Sequence, residues 1–167
     1  MRLDMKKNAP SETLDETDVQ ILRHLQDDGR LSNAKLAQRV ALSETPCWHR
    51  LRKLESEGYI QSYQAMLDRR KLGLGELAFI SLNFSPHTAE AFASLEKLVE
   101  NSEEVLTCHR VTGEADFVMT VVAEDLDSVR DFIDTVLRSL PNVATIRTSL
   151  SLREVKFSSR LPLPGAR

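Results

Sequence analysis

The chain has 167 residues, 41% hydrophobic and 28% charged, with only 6 Gly and 6 Pro, which excludes disordered and collagen-like chains. A net charge of −3 excludes a protein that coats nucleic acid by bulk charge, and 2 cysteines do not make a disulfide framework. No apolar run approaches the ~20 residues of a membrane span, and the polar stretch 1–13 lacks the apolar core of a signal peptide, so a cytoplasmic protein with reduced thiols and no membrane partner is expected.

Residues 1–13 read as a flexible arm. Asp15 is placed to cap a first helix, with Asp18 three residues later and Leu14 and Val19 as a hydrophobic staple. Ile21, Leu22 and Leu25 form its apolar stripe, and Gly29 is the expected stop. Ser32 caps a second short helix that buries Leu36, Ala37 and Val40. After the tight link Ala41-Leu42, Ser43 caps a third helix, with Pro46 in its first turn, where a missing N–H costs nothing. Cys47, Leu51 and Leu54 fall on one face of that helix, and Gly58 ends it. Two such helices joined by a few residues form the helix-turn-helix pattern. The alternation over 59–67 predicts a strand or wing.

The second half alternates element types. Glu76 to Phe84 alternates as a strand, and Pro86 is read as the start of a helix bearing Ala89, Phe92, Leu95, Leu98 and Val99. Strands follow at 104–111 and 115–123, joined by Thr112-Gly113-Glu114. Asp125 caps a helix that ends before Pro141-Asn142, and a last strand covers 143–152. The order is β-α-β-β-α-β, the ferredoxin-like arrangement. The fold class is therefore α+β, an N-terminal helix-turn-helix (winged-helix-like) domain followed by a ferredoxin-like domain. The boundaries are an arm at 1–13, a DNA-binding domain at 14–64, a linker at 65–75, a ferredoxin-like domain at 76–157 and a tail at 158–167, read as an oligomer contact or as disordered. The strand at 115–123 is apolar on both sides, so the sheet face away from the helices is expected to be apolar and to form an interface between copies.

Charge is unevenly spread. Arg30, Lys35, Arg39, Arg50, Arg52 and Lys53 face only Glu44 and Glu55 across residues 30–56, a basic patch that suits DNA. With Cys47, Leu51 and Leu54 turned inward, Thr45, Trp48, His49 and Arg52 face outward as base-reading candidates, and Arg52 has the two-pronged geometry that reads guanine. Arg30, Ser32, Ser43, Arg50 and Lys53 are better placed for phosphates. Arg50 has a second reading, a salt bridge to a helix carboxylate, and Trp48 a second reading as packing. Cys47 and Cys108 read as structural thiols. No metal spacing links the four histidines, and no catalytic motif or cofactor fingerprint is present in the sequence.

Leu14-Asp15, Ile21-Leu22, Asp28-Gly29-Arg30, Ser32-Asn33, Thr45-Pro46-Cys47, Leu54-Glu55 and Gly58-Tyr59-Ile60, with Val111-Thr112-Gly113, Asp116, Thr148-Ser149 and Glu154-Val155-Lys156, resemble the Lrp/AsnC (feast/famine) family of transcriptional regulators over about 14–157. The resemblance implies a non-enzymatic regulator that binds double-stranded operator DNA. It implies dimers assembling to octamers, an amino-acid or related effector held between dimers, and no cofactor. It places the effector at the turn of Thr112, Gly113, Glu114 and Asp116, with Thr148 and Ser149 approaching from a neighbouring strand. Asp116 is then the partner of an ammonium group and the backbone N–H groups of the turn the partners of a carboxylate. An alternative reading is an enzyme similar to siroheme decarboxylases, in which His109 and Arg110 would hold a tetrapyrrole. Another is a module that binds DNA without sequence preference.

Overall fold

The structure, a computed structural model, describes residues 14–163, so the expected arm at 1–13 lies outside the described residues. The chain divides into two units, one of Met1–Met66 with Ser158–Arg167 and the other Leu67–Phe157. The break falls inside the expected linker.

In the first unit, helix α1 spans Glu16–Asp27. The Asp18 N–H donates to the Asp15 carboxylate at 2.8 Å and the Asp15 N–H to Asp18 Oδ2 at 3.4 Å, a reciprocal cap that satisfies two N–H groups the helix cannot. The helix ends at Asp27 with Asp28 as its cap and Gly29 just past it, and the Asp28 carboxylate accepts the Arg30 N–H at 2.9 Å across the turn. A Cβ at Gly29 would stand 3.4 Å from Cδ1 of Tyr63, an ordinary van der Waals contact.

Helix α2, Asn33–Arg39, is capped by the Ser32 hydroxyl. It closes with the Ala41 N–H on the Gln38 carbonyl and the Leu42 N–H on the Ala37 carbonyl, the two bonds of a left-handed helix end. Ala41 occupies the left-handed position, φ +54°, where glycine is usual. Helix α3 spans Glu44–Ser56. Ser43 has the extended backbone of a cap, but its hydroxyl makes no cap bond, a departure from expectation. The start of α3 is held instead by the Asn33 amide, which donates to the Glu44 carbonyl at 2.9 Å. Gly58, at φ +79°, ends the helix as expected. The three helices enclose Ile21, Leu22, Leu36, Ala37, Val40, Cys47 and Leu54.

Two expectations for this unit are corrected. Segment 59–67 is not a strand, because its backbone has no partner to form a ladder with among the described residues. The tail, as far as Leu163, docks on its own helix-turn-helix unit. The Gln26 amide donates to the Leu161 carbonyl at 3.2 Å and accepts the Leu161 N–H at 2.6 Å, Arg160 pairs with Asp27 at 2.6 Å, and Leu163 packs on the apolar core.

The second unit is the β-α-β-β-α-β arrangement. Strands β1 (Glu76–Phe84), β2 (Val105–Arg110), β3 (Phe117–Ala123) and β4 (Val143–Leu150) form one antiparallel sheet in the order β2-β3-β1-β4. Helix α4 is Ala89–Asn101, starting after the expected Pro86 because Thr88 supplies the capping oxygen to the Ala91 N–H. Helix α5, Leu126–Asp131, is capped by Asp125 and widens into a π turn, Phe132–Val136, then a 3-10 turn, Leu137–Ser139. The helices bury Ala78, Ile80, Leu82, Phe84, Phe117, Met119 and Val121 on one sheet face. The opposite face is mixed, a correction to the expected apolar surface. Phe79, Val118 and Val122 share it with Ser81, Asn83, Thr120, Thr145, Arg147 and Ser149, because β1 and β4 present polar residues on that side.

Candidate nucleic-acid interface and effector turn

Helix α3 has two chemically different faces, set by its sequence periodicity. Cys47 and Leu54 are buried and Leu51 packs on the same core, whereas Thr45, Trp48, His49, Arg52 and Lys53 are exposed. Burial pushes the Cys47 thiol above its ordinary pKa, which keeps it protonated and suits a structural role.

The outer face is organised. Trp48 is 45% exposed and makes an edge contact with the His49 ring at 5.0 Å, while the Arg52 guanidinium lies 5.5 Å from the Trp48 ring centre. Arg52 Nη1 donates to Glu55 Oε2 at 3.0 Å, and the Tyr63 hydroxyl donates to Glu55 Oε1 at 3.0 Å. The Trp48 contact with its own helix is thus with other candidate base readers, not with the core. Lys53 stands 3.8 Å from Glu57, a loose pair for an exposed side chain. Neither Glu55 nor Tyr63 was among the residues expected from the sequence. Glu55 lies one turn along the helix from Arg52, which is a readable signal. Tyr63 carries none, because its approach depends on the path of the chain after Gly58.

Arg50 takes the second of its two readings, a salt bridge to helix carboxylates. Its Nη1 donates to both Asp15 and Asp18, at 2.8 Å in the second case, tying α3 to the capped start of α1. The Asp15 carboxyl sits below its usual pKa range, first because it accepts the Asp18 N–H and then because Arg50 is beside it. Arg30 is exposed at the α1–α2 turn, and the Ser32 hydroxyl, though it accepts the cap bond, still has a hydrogen to donate. The unspent Ser43 hydroxyl stands at the N-terminus of α3, where backbone N–H groups favour an anion.

At the other candidate site, β2 and β3 are joined by the turn 111–116, closed by the Val111 N–H on the Asp116 carbonyl at 3.0 Å. Gly113 has φ +114°, open to glycine alone among common residues, and no neighbour lies within 4 Å of its missing Cβ. Asp116 is largely committed to the fold. Its Oδ2 accepts the Phe84 N–H at 2.8 Å and faces His87 Nε2 at 2.9 Å, while its N–H donates to the Leu82 carbonyl at 3.0 Å. The Phe84 N–H, with His87 and Arg110 after it, holds the Asp116 carboxyl below the usual range. An ammonium partner therefore finds one oxygen of Asp116 already engaged.

Thr148 and Ser149 do not join this turn within one chain. They pair with Ile80 and Phe79, three or more residues along β1 from Asn83, so about 10 Å away at ~3.3 Å per residue. As neighbours on a strand they also point to opposite sheet faces. What β4 does bring to the turn is Thr145 and Arg147, which with Ser81, Asn83, Glu114 and Ala115 line a small depression. Arg147 Nη1 lies 3.3 Å from Glu114 Oε2, and the Asn83 amide donates to the Glu114 carbonyl at 2.9 Å.

His109 and Arg110, the residues of the enzyme alternative, do not converge. They are successive on β2, so they project to opposite faces, and the Arg110 guanidinium lies over the Phe92 ring at 4.7 Å. Among the described residues there is no cluster of three or more His, Cys, Asp or Glu able to hold a metal ion. No described helix is long and apolar enough to cross a membrane.

Comparison with known proteins agrees with both units. A winged helix-turn-helix DNA-binding model matches residues 14–61, and a model of the Lrp/AsnC ligand binding domain matches residues 77–161. The chain is 40% identical over 150 residues to the Bkd operon transcriptional regulator of Pseudomonas aeruginosa, covering 90% of this chain and 98% of that protein. It is 38% identical over 155 residues to the leucine-responsive regulatory protein of Escherichia coli, covering 93% and 94%. Among solved structures, a transcriptional regulator from Neisseria meningitidis in complex with L-methionine superposes with a TM-score of 0.86 at 37% identity, covering 90% of this chain and 97% of that one.

Proposed function

The chain belongs to the Lrp/AsnC family of transcriptional regulators, and from that footing we propose that α3 reads operator DNA and that an amino acid or close relative, bound at the 112–116 turn, changes the binding. The observation that carries the DNA half is the outer face of α3. Thr45, Trp48, His49 and Arg52 are exposed side by side on a helix whose other face packs on the apolar core, the arrangement by which a recognition helix enters a major groove. Arg30, Ser32, Ser43 and Lys53 flank it as phosphate contacts that fix register. Arg50 supports this surface from behind.

For the effector half, the open backbone at Gly113 leaves the N–H groups of the turn free to approach a carboxylate, and Glu114 beside Arg147 gives the turn both signs of charge for a zwitterion. Thr112 and the remaining oxygen of Asp116 complete it. Thr148 and Ser149 reach such a site only from a neighbouring copy, which fits an effector held between dimers. Exposed Phe79 and Leu106 on the sheet support assembly of copies as a dimer and higher oligomer, with the octamer of the family as the proposed form. The site of action is the cytoplasm. The effector works by binding one assembly more tightly than another, since a ligand shifts an equilibrium only by its difference in affinity.

The test has two arms. The first titrates the protein on duplexes selected from a random library and on random duplex, at several salt concentrations. Binding that prefers the selected sequence by ~10³-fold or more supports operator reading, while equal binding supports a sequence-blind module. The second is a thermal-shift screen of the twenty amino acids, L-methionine and L-leucine first, repeated on Gly113→Val and Arg147→Ala. A shift lost in both variants supports the turn as the site. A shift kept in both moves the effector elsewhere.

A further inference from the structure

The contacts behind Arg52 go beyond the assignment of α3 as a recognition helix, although they rest on it. Arg52 is 63% exposed and Glu55 26%, so the carboxylate sits beneath the guanidinium, on the protein side of it. Both carboxylate oxygens of Glu55 are used, one by Arg52 Nη1 and one by the Tyr63 hydroxyl, each at 3.0 Å. Two bonds to opposite oxygens fix the plane of the carboxylate, and a fixed carboxylate fixes the guanidinium that donates to it. Trp48 braces the same guanidinium from its face, 5.5 Å away.

Tyr63 is itself held. One edge of its ring lies beside Gly29, 3.4 Å from where a Cβ would stand, and with 49% of the residue exposed the bond to Glu55 does most of the aiming. Burial, with the Glu55 carboxylate after it, pushes the Tyr63 hydroxyl up to about 12, so it stays a donor at any physiological pH. An arginine has five N–H donors, and Glu55 takes one, which leaves the outer edge of Arg52 free to donate in pairs.

We propose that Glu55 and Tyr63 are specificity-determining positioning residues, which hold Arg52 as a pre-oriented, charge-balanced fork for the O6 and N7 acceptors of a guanine in the major groove. Charge balance matters because an arginine paired with a carboxylate adds little to the sequence-blind attraction of phosphates. Orientation matters because a bidentate bond discriminates between bases only if both N–H groups arrive together.

The test is selection from a randomised duplex library with wild type, Tyr63→Phe and Glu55→Gln, each checked for its fold by circular dichroism. Wild type is expected to enrich a motif with guanine strongly preferred at one position in each half-site. Tyr63→Phe keeps the ring beside Gly29 and the net charge, so it should weaken that one preference by about tenfold and leave the salt dependence unchanged. Glu55→Gln should weaken the same position and steepen the log affinity against log salt slope by about 0.9, as one more cation becomes available to phosphate. Fluorescence of Trp48, the only tryptophan in the chain, reads the change at the Arg52 face directly in both variants. If the wild-type motif survives both substitutions, this inference is overturned and the recognition-helix reading stands. If wild type enriches no motif, both fall.

Discussion

Replacing Arg50 by methionine should unfold the helix-turn-helix unit more easily while leaving its DNA-facing surface intact. The guanidinium makes two charge-assisted bonds, to Asp15 and Asp18, of a kind worth about 1.5–3 kcal/mol each when sheltered. Exposure discounts them: the Arg50 and Asp15 side chains are 36% and 49% exposed, and exposed pairs are worth only about 0.2–1 kcal/mol. Asp18, at 14%, keeps more of its value. Methionine retains much of the apolar stem, so the expected loss is about 1–2 kcal/mol. Urea unfolding followed by Trp48 fluorescence measures it in this unit alone. Acid sharpens the test. The Asp15 carboxyl is depressed in the folded state, so its contribution is present above its unfolded pKa of ~3.9 and is lost as pH falls through the lower folded value. The variant should show a smaller version of that acid loss, with the part due to the Asp18 N–H remaining. A stability change below ~0.3 kcal/mol, combined with a fall in DNA affinity and a shallower salt slope, would return Arg50 to the phosphate contacts and refute the reasoning.

Other outcomes follow from local geometry. Ala41→Gly should stabilise the same unit by up to ~1 kcal/mol, because φ +54° strains any residue with a Cβ by more than glycine loses in entropy; a thermal melt read at Trp48 checks it. Asp116→Asn should lower the melting temperature of the second unit near neutral pH and flatten its acid limb, since the depressed carboxyl stabilises above its unfolded pKa and stops doing so as pH falls through the folded one. Gln26→Ala removes both bonds to Leu161 and should cost the first unit about 1–2 kcal/mol, an effect that vanishes when the chain is truncated after Phe157. Cys47, fully buried with a raised pKa, should react with a thiol reagent at the rate of unit opening, and added denaturant should accelerate it.

Features that depend on residues close in sequence were legible in it. The Asp15–Asp18 cap, the Ser32 cap, the Gly58 stop, the limits of β1 and the inward triad Cys47, Leu51 and Leu54 all follow from spacings of two to four residues. Features that need distant parts of the chain were not. Nothing near Arg50 announces that it lies against the start of α1, and only the register of β4 on β1 shows that Thr148 and Ser149 lie far from Gly113 and face opposite ways. The alternation over 59–67 is real, but a strand also needs a neighbour. The tight turn at Gly113 is legible as a glycine between two strand-like runs. Asp116 was misjudged in weight, because its bond to the Phe84 N–H joins residues 32 positions apart.

The docked tail has a consequence for how the protein is made. The first unit is completed by Arg160, Leu161 and Leu163, yet the 91 residues of Leu67–Phe157 are synthesised in between. A ribosome adding ~5–20 residues per second needs roughly 5–20 s to cover that interval. During it the three helices wait on the nascent chain without their last clasp. The residues that fasten the helix-turn-helix unit are thus made after the whole of the second unit, so a chain cut short within Leu67–Phe157 carries its three helices on a looser frame.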